Sequence, residues 1–100
     1  MNDYLLLMHS DTVDHHVAVD EGRWTAYFET LRDSGQFDGG SSIGTGQCFR
    51  KGRPAAPPSD SLSGFIRVRA DDLEAARRFL VGNPVYDAGG TVEIRELPRD

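Results

Sequence analysis

The chain has 100 residues, a hydrophobic fraction of 38% and a formal net charge of -5. That length supports a single domain over residues 1–100, and the acidic balance supplies no basic footprint for a nucleic-acid backbone. No apolar run reaches the roughly 18 residues that span a bilayer. The first apolar stretch is too short for a signal peptide, and the lone Cys48 has no internal disulfide partner, so a cytoplasmic protein is expected.

Tyr4 to Met8 is apolar without alternation, the pattern of a central strand covered on both faces. His9 to Glu21 is polar and reads as a loop with some turn structure. It holds His9, Asp11, Asp14, His15, His16 and Asp20. Trp24, Tyr27, Phe28 and Leu31 then recur at the spacing of one buried helical stripe. Asp20 or Glu21 suits the start of that helix, and Gly35 its end.

A second strand is expected over Ser41 to Lys51, with Gly44 and Gly46 marking a bulge or a close backbone approach. Gly52 to Ser61 is a proline-rich connection, extended with a mobile tip, and its Pro54 to Pro58 loop is either a lid or a loose link. Leu62 to Ala70 alternates as a third strand, with Ile66 and Val68 on one face and Phe65, Arg67 and Arg69 on the other. A second helix runs from Asp71 to Gly82, capped by Asp71 with Glu74 three residues on. Leu73, Ala76 and Leu80 form its apolar stripe, and Gly82 with Pro84 ends it. Thr91 to Leu97 is the last strand, its Val92 and Ile94 opposite Glu93, Arg95 and Leu97.

The order strand, helix, strand, strand, helix, strand predicts an α+β, ferredoxin-like βαββαβ fold. Its four-stranded antiparallel sheet carries both helices on one face. The other face then carries Phe65, Arg67, Arg69, Glu93, Arg95 and Leu97. Three readings fit that mixture: a solvated face with weak ion pairs, a homodimer interface of stacked sheets, or a pocket whose arginines receive an anion.

Trp24-x-x-Tyr27-x-x-x-Leu31-x-x-x-Gly35-x-Phe37-x-x-Gly40 resembles the first helix and following turn of YCII-related proteins, above all their DGPF-domain branch. Tyr4 to Met8, Leu62-Ser63-Gly64-Phe65 and Asp71 to Ala76 resemble that branch too. The resemblance implies a ferredoxin-like fold that dimerises by sheet stacking into an α+β barrel, with a cleft between subunits and a largely unassigned function. Two departures stand out. The branch's Asp-Gly-Pro-Phe segment falls on Gly52-Arg53-Pro54-Ala55, where only the proline matches. A second branch carries a helix-one His with an Asp as an acid–base pair; Trp24 holds that His position and Asp33 the Asp position.

With that dyad broken, His9 at the end of strand one is the acid–base candidate, Asp33 an orienting carboxylate, and Arg67 the anion clamp. Phe65, Arg69 and Glu93 complete the expected ligand-binding set. His9, Asp11, His15 and His16 are ligand types for zinc or another transition metal, but their spacing matches no metal motif, so no metal is expected. Cys48 reads as a small buried side chain rather than a nucleophile. Gly39 to Gly46 lacks the ending of a phosphate loop and precedes a strand, and no cofactor is expected. An RNA-binding reading finds only Phe65 where several stacking aromatics are needed. Three classes follow: a small dimeric enzyme acting on a small anionic molecule, a non-catalytic binding module using the same cleft, or a structural dimer. Neither nucleic acid nor membrane is expected as a partner.

Overall fold

A computed structural model describes residues 1–58 and 61–99; Ser59 and Asp60 of the proline-rich connection, and Asp100, lie outside the described residues. Four strands form one antiparallel sheet: β1 (Asn2–His9), β2 (Phe37–Ser42), β3 (Leu62–Ala70) and β4 (Val92–Leu97), in the spatial order β2-β3-β1-β4. This is the expected α+β, ferredoxin-like arrangement. β1 is central, and its apolar run resolves into two sets. Tyr4, Leu6 and Met8 are buried toward the helices, whereas Leu5 and Leu7 are half-buried on the opposite face.

The core forms where Tyr4, Leu6 and Met8 meet Ile66, Val68 and Ala70 of β3 and, across the layer, Tyr27, Leu31, Ala76 and Val85. Leu6 and Val68 are wholly inaccessible, and each such burial stabilises the fold by about 1.5–3 kcal/mol. The Tyr27 ring is buried, which pushes its phenol above the ordinary value. Its hydroxyl donates to Phe79 O at 2.6 Å, so the buried polar atom is satisfied.

The loop after β1 contains a short helix, α1 (His15–Ala18), capped by Asp14, whose side chain accepts from Val17 N. Asp20 caps α2 (Glu21–Asp33), accepting from Arg23 N at 2.9 Å. Gly35 at φ +72° terminates α2 as expected, because this left-handed conformation suits a residue without a side chain.

Three expected boundaries are corrected. β2 is Phe37–Ser42, not Ser41 to Lys51. Gly40 lets the backbones of β2 and β3 close together: a Cβ there would stand 2.4 Å from Phe65 O. The irregularity falls between Phe37 and Gly40 rather than at Gly44 or Gly46. The second helix is capped by Asp72, not Asp71, through a 2.8 Å bond from Ala75 N. The helix is also shorter than expected: α3 (Leu73–Arg77) tightens into a 3-10 turn over Arg78–Leu80. Leu73 turns outward and is 52% exposed rather than core. After Gly82 the buried Asn83 caps α4 (Pro84–Asp87), with Pro84 in the first turn, where a missing N–H is harmless.

Residues 43–58 leave the sheet as an arm. Its two limbs meet at one bridge, with Cys48 N donating to Ala56 O and Ala56 N to Cys48 O. They turn at Arg50 to Arg53 around Gly52 at φ +76°. The radius of gyration is 14.8 Å, above the ~13 Å usual for this length.

Candidate functional site

The β1 carboxyl end, the β2 end and the β3 start meet at one end of the sheet, facing α1 and the first turns of α2. Between them opens a cleft of about 780 Å³. Its walls combine Met8, Ile66, Val85, Trp24, Phe28 and Phe65 with polar groups from His9, Thr12, His15, Ser41, Ser42 and Ser63. Two glycines keep it open. Gly40 lines it where β2 approaches β3, and a Cβ on Gly64 would press on Met8 Cε at 3.0 Å and Ser41 O at 3.1 Å.

Trp24 stacks on Phe28, with ring centroids 5.6 Å apart, and meets Tyr27 edge-on at 6.1 Å. Its Nε1 donates to Ala18 O at 2.7 Å. The indole is therefore both core packing and cleft wall, tied to the end of α1.

His9 is the one predicted catalytic residue that reaches the cleft. Its Nε2 lies 3.0 Å from Glu93 Oε1, and Arg95 Nε donates to Glu93 Oε2 at 2.6 Å. The Arg95 hydrogen bond first, and the His9 bond second, hold the Glu93 carboxyl below its ordinary value. The carboxylate is thus ionised at neutral pH and can only accept. His9 must carry its proton on Nε2, which leaves Nδ1 as the basic nitrogen of the neutral ring. The strand register, with Leu7 paired to Glu93 and Leu5 to Arg95, sets this chain of groups on the uncovered face at the cleft mouth.

The remaining expected site residues divide. Phe65 lines the cleft beside His9. Asp33 is not brought to it: the exposed residue ends α2 at the opposite end of the sheet, two residues before Gly35, whose carbonyl accepts from Arg69. The eight residues of β1 hold those ends roughly 25 Å apart, so no His9–Asp33 pair forms. Arg69 belongs to that far end too, donating to Asp38 Oδ2 at 2.9 Å and to Gly35 O at 2.6 Å. Arg67 is exposed on the open face, outside the cleft wall.

Asp11 accepts from Thr91 N and Thr91 Oγ1 at 2.8 and 2.6 Å, and these bonds hold its carboxyl below the usual range. His15 stands on the cleft rim and His16 is exposed. Among the described residues no group of three His, Cys, Asp or Glu side chains comes together to hold a metal. Cys48 is not a buried strand residue: it is exposed on the arm, because β2 ends before it. No helix among the described residues is long and apolar enough to cross a membrane.

Sequence reading did not place Gly40, Gly64, Ser63 or Thr12 in the site. A glycine in each of two neighbouring strands was the signal for a thin-walled cleft, visible only once their register is known.

No family model matches the chain, and no curated protein matches it either. Among solved structures it is similar to 5-chloro-2-hydroxyhydroquinone dehydrochlorinase (TftG) from Burkholderia phenoliruptrix AC1100, in complex with 2,5-dihydroxybenzoquinone. The TM-score is 0.58 at 15% identity, covering 98% of this chain and 95% of that one. The two chains share a fold over nearly their whole length.

Proposed function

We propose that this chain is a divergent YCII-related protein, dimeric through its open sheet face, that handles a small anionic ring molecule in the cleft with His9 as its acid–base group. One observation carries the reading: His9 lines the cleft with Nε2 fixed by a carboxylate that Arg95 fixes in turn. The neutral ring takes a proton at Nδ1, and the imidazolium that results is stabilised by Glu93 at Nε2. The proton then returns to the product or to water, so the cycle closes without another reactant. Trp24 and Phe28 suit the face of a planar ligand, and the serines its polar edge. The shared fold with TftG, whose complex contains a small ring compound, supports a small-molecule role.

Dimerisation is supported by the open face itself. Half-buried Leu5, Leu7, Phe65 and Leu97 form its apolar centre, flanked by Arg67, Arg95 and the Asp3–Arg99 pair. An apolar centre with a charged rim is the composition of an interface.

The second reading is a binding module without turnover. Trp24 stands where a family branch has its histidine, and its only N–H is committed to Ala18 O, so it moves no proton.

Native mass spectrometry of freshly purified protein should give a dimer carrying extra mass, and that mass identifies the compound for assay. With that compound, His9→Ala should lower turnover at least ~100-fold while the dimer persists. Unchanged turnover would remove His9 from the chemistry. Retained binding with no turnover in the native chain would establish the binding module.

A further inference from the structure

The cleft, as one chain builds it, has one cation near it among the described residues, Arg95 at the mouth, and that one is taken up by Glu93. Among the described residues its walls include neither Lys nor Arg, and Arg67 and Arg69 lie elsewhere. A cluster of cations lies instead on the arm, whose turn carries Arg50, Lys51 and Arg53, all exposed, and whose described residues 43–58 include no acidic one. Beside them Phe49 is 80% exposed, an aromatic left uncovered by its own chain. The rest of the protein is strongly acidic, with eight Lys and Arg against sixteen Asp and Glu. One rim of the cleft concentrates that charge: residues 11–21 hold Asp11, Asp14, Asp20 and Glu21, all exposed, with no Lys or Arg.

No residue of the arm lines the chain's own cleft. The arm starts at the end of edge strand β2, next to Ser41 and Ser42 of the cleft wall. Fully extended, the first limb from Ile43 to Phe49 has a reach of about 20 Å.

From these placements we infer that the arm of one protomer docks on the acidic rim of a second copy of this chain. There it lays Phe49 and the cations of its turn across that copy's cleft. The occupant of the rim is a second copy because the chain carries both complementary halves, a basic projecting turn and an acidic receiving edge. Each site then takes His9 and its aromatic walls from one chain and its anion-binding charge from the other. A self-complementary exchange of this kind closes on two subunits. The inference rests on the dimeric reading above and deepens it, since it names where the positive charge for an anionic ligand comes from.

Cys48, the only cysteine, sits exposed on the arm, and His15 marks the rim. Light- and heavy-isotope preparations of His15→Cys, unfolded and refolded together so that subunits assort, are treated with a short bismaleimide and digested. The expected result is a peptide pair joining positions 15 and 48, half of it linking a light to a heavy chain. A variant that also carries Arg50→Glu, Lys51→Glu and Arg53→Glu should give at least tenfold less of it. Native mass spectrometry of the untreated mixture separates the two readings. Mixed dimers whose linked pairs are all within one isotope, or that give no such pair, overturn the arm inference alone. Monomers overturn the dimeric reading and this inference with it.

Discussion

The two ends of the sheet use the same strands in opposite ways. At the end where β1 begins, polar groups are committed to one another. Arg69 holds Asp38 and Gly35 O, Gln36 Nε2 donates to Arg69 O, Asn2 Nδ2 donates to Asp71 O, and Arg99 pairs with Asp3. At the end where β1 finishes, glycines replace side chains, helices stand back from the sheet, and His9 faces open space with one ring nitrogen fixed. A closed end anchors the register of four strands, and that anchorage allows the far end to keep a cavity that packing alone would fill. Rigidity at one pole of a small sheet is what makes a precise site at the other affordable.

The largest expected effect removes what both ends share. Leu6→Ala, at a wholly buried position in the central strand, should cost about 3 kcal/mol, with both ends melting together in one denaturant transition. Separate transitions would mean that the closed end does not support the open one. Gly40→Ala places a Cβ 2.4 Å from Phe65 O and should cost about 2 kcal/mol through forced separation of β2 from β3. Amide exchange should rise at the cleft end first. Arg69→Ala should cost about 1 kcal/mol and leave His9-dependent properties untouched, since its partners all lie at the closed end. A change in His9 chemical shifts would show the two ends to be coupled.

The smallest effect is a titration. Asp3 is held below the ordinary carboxylate range chiefly by Arg99, Asp11 by Thr91, and Glu93 by Arg95 and then His9. Groups depressed in the folded state contribute stability above their unfolded values and lose it as pH falls through the folded ones. Stability should therefore hold near neutrality and decline below about pH 4. Carbon-detected NMR of the side-chain carboxyls reads each group. An ordinary value for Glu93 would mean that the Arg95–Glu93–His9 chain is not maintained in solution.

The sheet was legible because its signals are local. Alternation in 62–70 assigned each residue of β3 to its face, and the unbroken run of β1 marked it as central. Helix ends were less so: Asp71 and Asp72 are equally good caps in sequence, and only the extended backbone of Asp72 decides between them. β2 was misplaced because three of its six residues, Asp38, Gly39 and Gly40, carry no strand propensity. That strand exists through its partner rather than its own residues. On the cleft wall, the positions of His9 and Phe65 could be read from strand ends and alternation. The Glu93 contact could not, because it depends on a register between strands more than eighty residues apart in sequence. The place of Asp33 could not be read either: position along a helix says nothing about which end of the sheet that helix end meets.

Trp24 has one more consequence. It is the only tryptophan in the chain, and it forms part of the cleft wall. Emission excited at the red edge of protein absorbance therefore comes from this one indole, with no background from elsewhere. The protein thus carries its own optical gauge of cleft occupancy. Libraries of candidate molecules can be titrated against unlabelled protein, each answer arising beside His9.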